Sequence, residues 1–151
     1  MKKLFSFILY LLPWFLSSLL FSSYADYFNS LDLPWFALPK GLYGIVWTIL
    51  YILIAIFIYI VYSNNDKKNT KGYNTALISN YIFNQLYLFF MFFLENPFLG
   101  FVDSLAIFIT SLLLYYETKE LDDTASKFLL PYVIFSLYAT ILSLSIYFMN
   151  F

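Results

Sequence analysis

The chain has 151 residues, 62% of them hydrophobic and 11% charged, with a net charge of −1 and a mean hydropathy of +0.77. Soluble domains carry roughly 25% charged residues, so this is the composition of an integral membrane protein, with room for about five spans and no soluble domain. Cysteine and histidine are absent, which excludes disulfides, thiol nucleophiles, Ser-His-Asp chemistry and the usual zinc or haem ligands; no metal and no cofactor is expected.

The first span is expected over about 4–23, opening on MKK. Its end, Ser23-Tyr24-Ala25, resembles a small-residue cleavage site, so a signal peptide is the alternative. The apolar stretch is long for that, and Pro13-Trp14 at its middle fits a retained helix whose neighbours satisfy the carbonyl that proline frees. A loop over about 24–40 follows, polar at first (Asp26, Asn29, Asp32) and aromatic throughout. Pro34 and Pro39 fix φ and lack an amide donor, so no regular helix runs through them. Pro39-Lys40-Gly41 reads as a stop or turn. Span two, about 42–62, carries no charge and is long enough to cross a bilayer. Asn64–Tyr73 reads as a short polar loop, and span three takes about 74–94. Glu95-Asn96-Pro97 is a tight turn before span four, about 98–116. ETKELDDTASK reads as a charged loop, and span five takes about 128–149. The fold class is thus an all-α membrane protein, a five-transmembrane-helix bundle in a single domain. There is no internal repeat to support an inverted-repeat transporter.

All eight basic residues are lysines. In a five-span topology Lys2, Lys3, Lys67, Lys68, Lys71, Lys119 and Lys127 share one side, and Lys40 alone takes the other. The positive-inside rule then puts the N-terminus in the cytoplasm, and the C-terminus and the long first loop outside.

Polar groups inside a bilayer need partners and tend to mark sites. Asn80 and Asn84, four apart, share a helix face, while Gln85 points about 100° away from Asn84. The trio fits a polar ligand edge, or hydrogen bonds between helices, and composition favours the second. On span five Phe135, Ala139 and Ser143 fall at steps of four, beside Ser136 and Thr140. That pattern suits close helix packing or a slot for a flat ligand. Asp103, about two turns into span four, has no lysine within the spans to pair with, and both a structural and a functional role are open. Trp35 suits an interfacial anchor. Trp47 lies beneath the aromatic loop with Tyr51 one turn deeper on its face, where an indole could stack on a planar ligand.

Taken together, a Pro/Trp-rich loop, VWTILY in span two, NYIFNQ in span three, VDSL in span four and LLPYVIFSLYAT in span five resemble the TspO/MBR family, the bacterial tryptophan-rich sensory proteins and the mitochondrial translocator protein. The resemblance spans nearly the whole chain. It implies a five-helix bundle, a homodimer, and a pocket under the first loop that takes porphyrins or similar flat tetrapyrrole-like molecules. By motif, ligand contact carries over to Trp47, Asn84, Gln85, Ala139 and Ser143, with Phe28 standing where the family usually has Tyr; Tyr51, Asn80 and Phe135 complete the expected site. A role in transport of such ligands or in stress-linked regulation is implied, with membrane lipid as the other partner, no nucleic acid, and a bacterial cell membrane as the location. Two rival readings remain: a light- or oxidant-dependent porphyrin-degrading enzyme, and a transporter or structural partner of other membrane proteins. The family's span-five Trp is Phe135 here, which weakens the case for breakdown chemistry that runs through indoles. The sterol-associated C-terminal pattern needs a Lys or Arg that SIYFMNF lacks.

Overall fold

The computed structural model describes residues 2–21, 25–64 and 70–151. Its elements are α1 (Lys2–Leu11), a 3-10 turn (Leu12–Phe15), α2 (Leu16–Leu20), α3 (Ala25–Ser30), α4 (Lys40–Asn64), α5 (Lys71–Leu88) with a π turn (Phe89–Phe93), α6 (Pro97–Leu121) and α7 (Asp123–Asn150). Five stretches are long and apolar enough to cross a membrane: Lys3–Leu20, Lys40–Asn64, Lys71–Phe93, Pro97–Leu121 and Asp123–Asn150. The protein is therefore an all-α, multi-pass membrane bundle. Its outer faces are apolar, with Ile45, Ile49, Leu113, Ile134 and Ile141 exposed, as suits contact with lipid rather than water.

Spans two, four and five run further at both ends than the sequence suggests, while span one stops short, at Leu20. The charged stretch ETKELDDTASK is not a loop. α6 continues to Leu121, only Asp122 breaks the helical path, and its carboxylate caps α7 by accepting from Ala125 N at 2.9 Å. That cap lets the chain reverse without a long connection. Asn96 does the same for α6, accepting from Leu99 N at 3.0 Å. The first loop likewise contains a short helix, α3, before the proline segment begins. Ser23 and Tyr24 of the suspected cleavage site, and residues 65–69 with Lys67 and Lys68, lie outside the described residues.

Span one is bent at Pro13. In an α-helix Ser17 N would donate to Pro13 O; here the 3-10 turn gives that oxygen to Leu16 N instead. Ser17 N donates to Gln85 Oε1 at 2.8 Å, and Pro13 O also accepts from Tyr81 OH at 3.1 Å. Side chains of α5 thus supply what the break takes away. The two halves of the span lean on different neighbours, α1 on α4 and α2 on α5.

The remaining spans are joined by one polar chain through the core. Tyr51 OH donates to Asn84 Oδ1 (3.0 Å), Asn84 Nδ2 donates to Tyr132 OH (3.2 Å), and Tyr132 OH donates to Asn80 Oδ1 (2.8 Å). Asn80 Nδ2 then donates to Ile107 O and Thr110 Oγ1. α4, α5, α6 and α7 each contribute to it. α6 and α7 form the most extensive pair. There Ser111 and Ser136 hydrogen-bond at 2.9 Å and Thr140 Oγ1 donates to Ser104 O at 2.9 Å. The small polar stripe of span five is a close helix–helix seam.

Candidate functional site

The segment after α3 lies across one end of the bundle. A turn closed by Ala37 N donating to Pro34 O at 2.9 Å stiffens it, and Pro39 sits just ahead of α4. Leu33, Phe36 and Ala37 pack against a small core of Met91, Leu142 and Ile146. α7 holds the segment at two points. Tyr138 OH donates to Phe36 O and accepts from Leu38 N, both at 3.2 Å. Asn150 bonds both the N–H (2.9 Å) and the carbonyl (3.0 Å) of Asp32. Tyr27 OH donates to Glu95 O at 3.2 Å. Burial, and then the charge of Glu95, raise the Tyr27 phenol above its ordinary pKa of 10.0, so it remains a donor at neutral pH. Trp35 points away, 95% exposed, as an interfacial anchor would.

Beneath this lid is a cavity of about 500 Å³, within the size range of small-molecule sites. Its aromatic wall is built around Trp47. The indole lies 5.6 Å from Tyr51 and 5.4 Å from Phe135, centroid to centroid, with Phe135 at 89° to it. Phe135 in turn contacts Tyr138 at 5.3 Å. Asn84 presents the wall's amide. Among the described residues both its amide atoms are engaged once, by Tyr51 and Tyr132, which leaves one N–H and one lone pair unspent. Lys40, hydrogen-bonded to Asn29 at 2.8 Å, is the one charged side chain among the lining residues. No group of three or more Asp or Glu suited to a metal occurs among the described residues.

Of the residues singled out in the sequence, Phe28, Trp47, Tyr51, Asn84, Phe135 and Ala139 line this cavity. Asn80, Gln85 and Ser143 do not. Asn80 is fully buried between α6 and α7, Gln85 serves the broken backbone of span one, and Ser143 pairs with Tyr87 at 3.0 Å. A step of four residues advances about 400°, so a series at that step drifts about 40° per turn around the helix. Ser143 has rotated off the face that Phe135 and Ala139 share, and Leu142 and Ile146 continue the lining instead. Tyr43, Tyr87, Phe92 and Tyr138 also line the cavity without having been singled out. Tyr138, Leu142 and Ile146 were findable, because spacings of three and four from Phe135 and Ala139 trace one helical face. Tyr87 and Phe92 carried no comparable signal.

Asp103 is 3% exposed, and neither carboxyl oxygen has a hydrogen-bond partner among the described residues. It lies on the buried face of α6. It is not among the lining residues.

This architecture has known counterparts. The chain is 36% identical over 137 residues to the tryptophan-rich protein TspO of Bacillus cereus, covering 91% of this chain and 89% of that one. It is 35% identical over 125 residues to the uncharacterized membrane protein YtaB of Bacillus subtilis, covering 83% and 81%. An archaeal counterpart, the tryptophan-rich protein TspO of Archaeoglobus fulgidus, is 33% identical over 135 residues, covering 85% and 82%. The TspO/MBR family matches residues 5–149, from the start of the bent first span to the end of α7. With the family match running over residues 5–149 and these relatives covering most of the chain, the protein belongs to the TspO/MBR family.

Proposed function

We propose that this protein is a membrane-embedded binding and sensory protein whose cavity holds a flat, hydrophobic, porphyrin- or tetrapyrrole-like molecule beneath the lid. One observation carries the reading: a roofed, membrane-level cavity in which Trp47 and Phe135 stand at right angles around an amide with spare hydrogen-bonding capacity. A planar conjugated ligand gains from stacking on such rings, and its polar edge can use the free N–H and lone pair of Asn84. Lys40 at the lid end suits an anionic substituent. The lysine asymmetry supports an N-terminus in the cytoplasm and a lid on the outer side of a bacterial membrane, and the family supports a homodimer.

Catalysis has less support. The titratable groups of the lining are Lys40 and the tyrosines Tyr43, Tyr51, Tyr87 and Tyr138, which offer no carboxylate–base pair for general acid–base work.

Titration of the solubilised protein with protoporphyrin IX, read by tryptophan fluorescence, tests the proposal. Saturable quenching is expected, most of it lost in Trp47→Phe with Trp14 and Trp35 retained. Unchanged quenching in that variant overturns the pose. A ligand of the native state also raises the melting temperature; no saturable quenching and no rise would favour a structural role. A new absorbing product under illumination, lost in Trp47→Phe, would favour breakdown.

A further inference from the structure

The bend at Pro13 has a geometric effect on the cavity. Because α1 rests on α4 while α2 rests on α5, the two spans diverge toward the lid. Among the described residues, the first turns of α4 have no extensive contact with α2 on that side. Gly41, Gly44 and Thr48 are exposed, yet all three line the cavity. Among the described residues, a Cβ placed on Gly41 or Gly44 would meet nothing within 4 Å. Across the gap, Ser18 of α2 also lines the cavity. These residues are at once cavity wall and outer surface, so the cavity opens sideways, between α2 and α4.

The rim of this opening is chemically quiet. Thr48 Oγ1 donates to Gly44 O at 2.7 Å and Ser18 Oγ donates to Phe15 O at 2.8 Å. Both hydroxyls are folded back onto their own helices and present little polarity to a passing molecule. Leu42, Ile45 and Ile49 beside the opening are exposed and apolar, as suits contact with lipid. The lid, by contrast, is closed by hydrogen bonds from Tyr138, Asn150 and Tyr27.

We infer that the cavity is loaded from the lipid phase, through a lateral slot between α2 and α4 bordered by Ser18, Gly44 and Thr48. This rests on the proposed ligand-binding reading and narrows it. The ligand class is one that dissolves in the bilayer first, an uncharged flat ring system or one that keeps its charged groups at the level of Lys40. The bent span and the two glycines are then a doorway, with the lid serving as a roof. Side chains in place of the two glycines would narrow the slot without touching the aromatic wall.

The chain has no cysteine, so Gly44→Cys places a single thiol at the slot. The full-length protein in lipid nanodiscs is compared before and after reaction with a bulky adamantyl maleimide. Protoporphyrin IX association is expected to slow at least tenfold after blocking, with dissociation slowed as well and the equilibrium constant changed much less. The same modification at Ile52→Cys, exposed on α4 and outside the cavity, should leave both rates alone. Equal association rates before and after blocking at Gly44→Cys overturn the inference and make the lid the door.

A second readout needs no ligand. A bimane on Gly44→Cys should be quenched by lipids brominated on the acyl chain and not by aqueous iodide. Quenching by iodide, or by neither because a second copy covers the slot, overturns the inference. Failure of protoporphyrin to bind the unmodified protein would instead sink the proposed ligand, while the brominated lipids still decide whether the cavity is open to the membrane. Gly41→Cys repeats both measurements should Gly44→Cys fold poorly.

Discussion

Gln85 Oε1 accepts a hydrogen bond from the backbone N–H of Ser17 at 2.8 Å, and by that contact span three holds span one in its bent form. Ser17 is 3% exposed. Without Gln85 its N–H would be buried and unpaired, at a cost of about 1–3 kcal/mol. Gln85→Leu should therefore lower the thermal stability of the solubilised protein by an amount of that order. Pro13→Ala should largely cancel the loss, because an alanine lets the turn relax to an α-helix in which Ser17 N pairs with the carbonyl of residue 13. A double-mutant cycle in Tm reads the coupling. Equal losses in both backgrounds would show that Gln85 acts elsewhere.

Asn80 and Asn84 share a helix face and a common partner in Tyr132, but only Asn84 reaches the cavity. Asn80→Ala should destabilise the bundle by about 1 kcal/mol or somewhat more, since intramembrane hydrogen bonds average about 0.6 kcal/mol and Asn80 makes three. Its protoporphyrin affinity should stay within about twofold. Asn84→Ala should cost similar stability and also weaken binding about fivefold or more, the equivalent of one lost hydrogen bond of about 1 kcal/mol. Melting curves and fluorescence titration on the two variants separate helix glue from ligand contact.

The sequence carried the architecture well because its signals are physical and local. Apolar runs of bilayer length, and Pro97 with its cap Asn96, mark where spans exist and turn. Trp47 and Tyr51 could be assigned to one face by helical spacing alone. The roles within the amide trio were less legible. A polar side chain inside a membrane announces that it needs a partner without naming it, and Gln85's partner is a backbone N–H set free by a proline in another span. The helix α3 was hidden because six residues ahead of a proline segment carry no period long enough to read. Asp122 as a one-residue reversal was masked by the charges around it, which look like a solvated loop.

Asp103 keeps a carboxyl group 3% exposed with neither oxygen paired among the described residues. An ionisable group within a span costs about 2.5–3.5 kcal/mol on insertion scales, and here no hydrogen bond offsets it. Asp103→Asn should raise the melting temperature, and Asp103→Leu should raise it further because it removes the polarity as well as the charge. Stabilisation accompanied by altered protoporphyrin affinity would mark the carboxyl as kept for function at the expense of stability. A fall in Tm in both variants would show that it holds a partner in the folded protein.

The lid and the bundle should come apart experimentally at Asn150. Its amide spans both polar groups of Asp32, at 2.9 and 3.0 Å, and it takes no part in lining the cavity. Two hydrogen bonds at about 0.5–1.5 kcal/mol each shift the local opening of that end of the lid about fivefold or more, while Tyr138 and Tyr27 still hold the rest. In Asn150→Ala, hydrogen exchange at the amides around Asp32 should speed by that factor, with little change in the melting temperature of the helices. If ligand travels through the slot beside Gly44, protoporphyrin association should be as fast in Asn150→Ala as in the parent protein. An association rate that climbs in step with lid exchange would mean instead that the roof itself opens to admit the ligand.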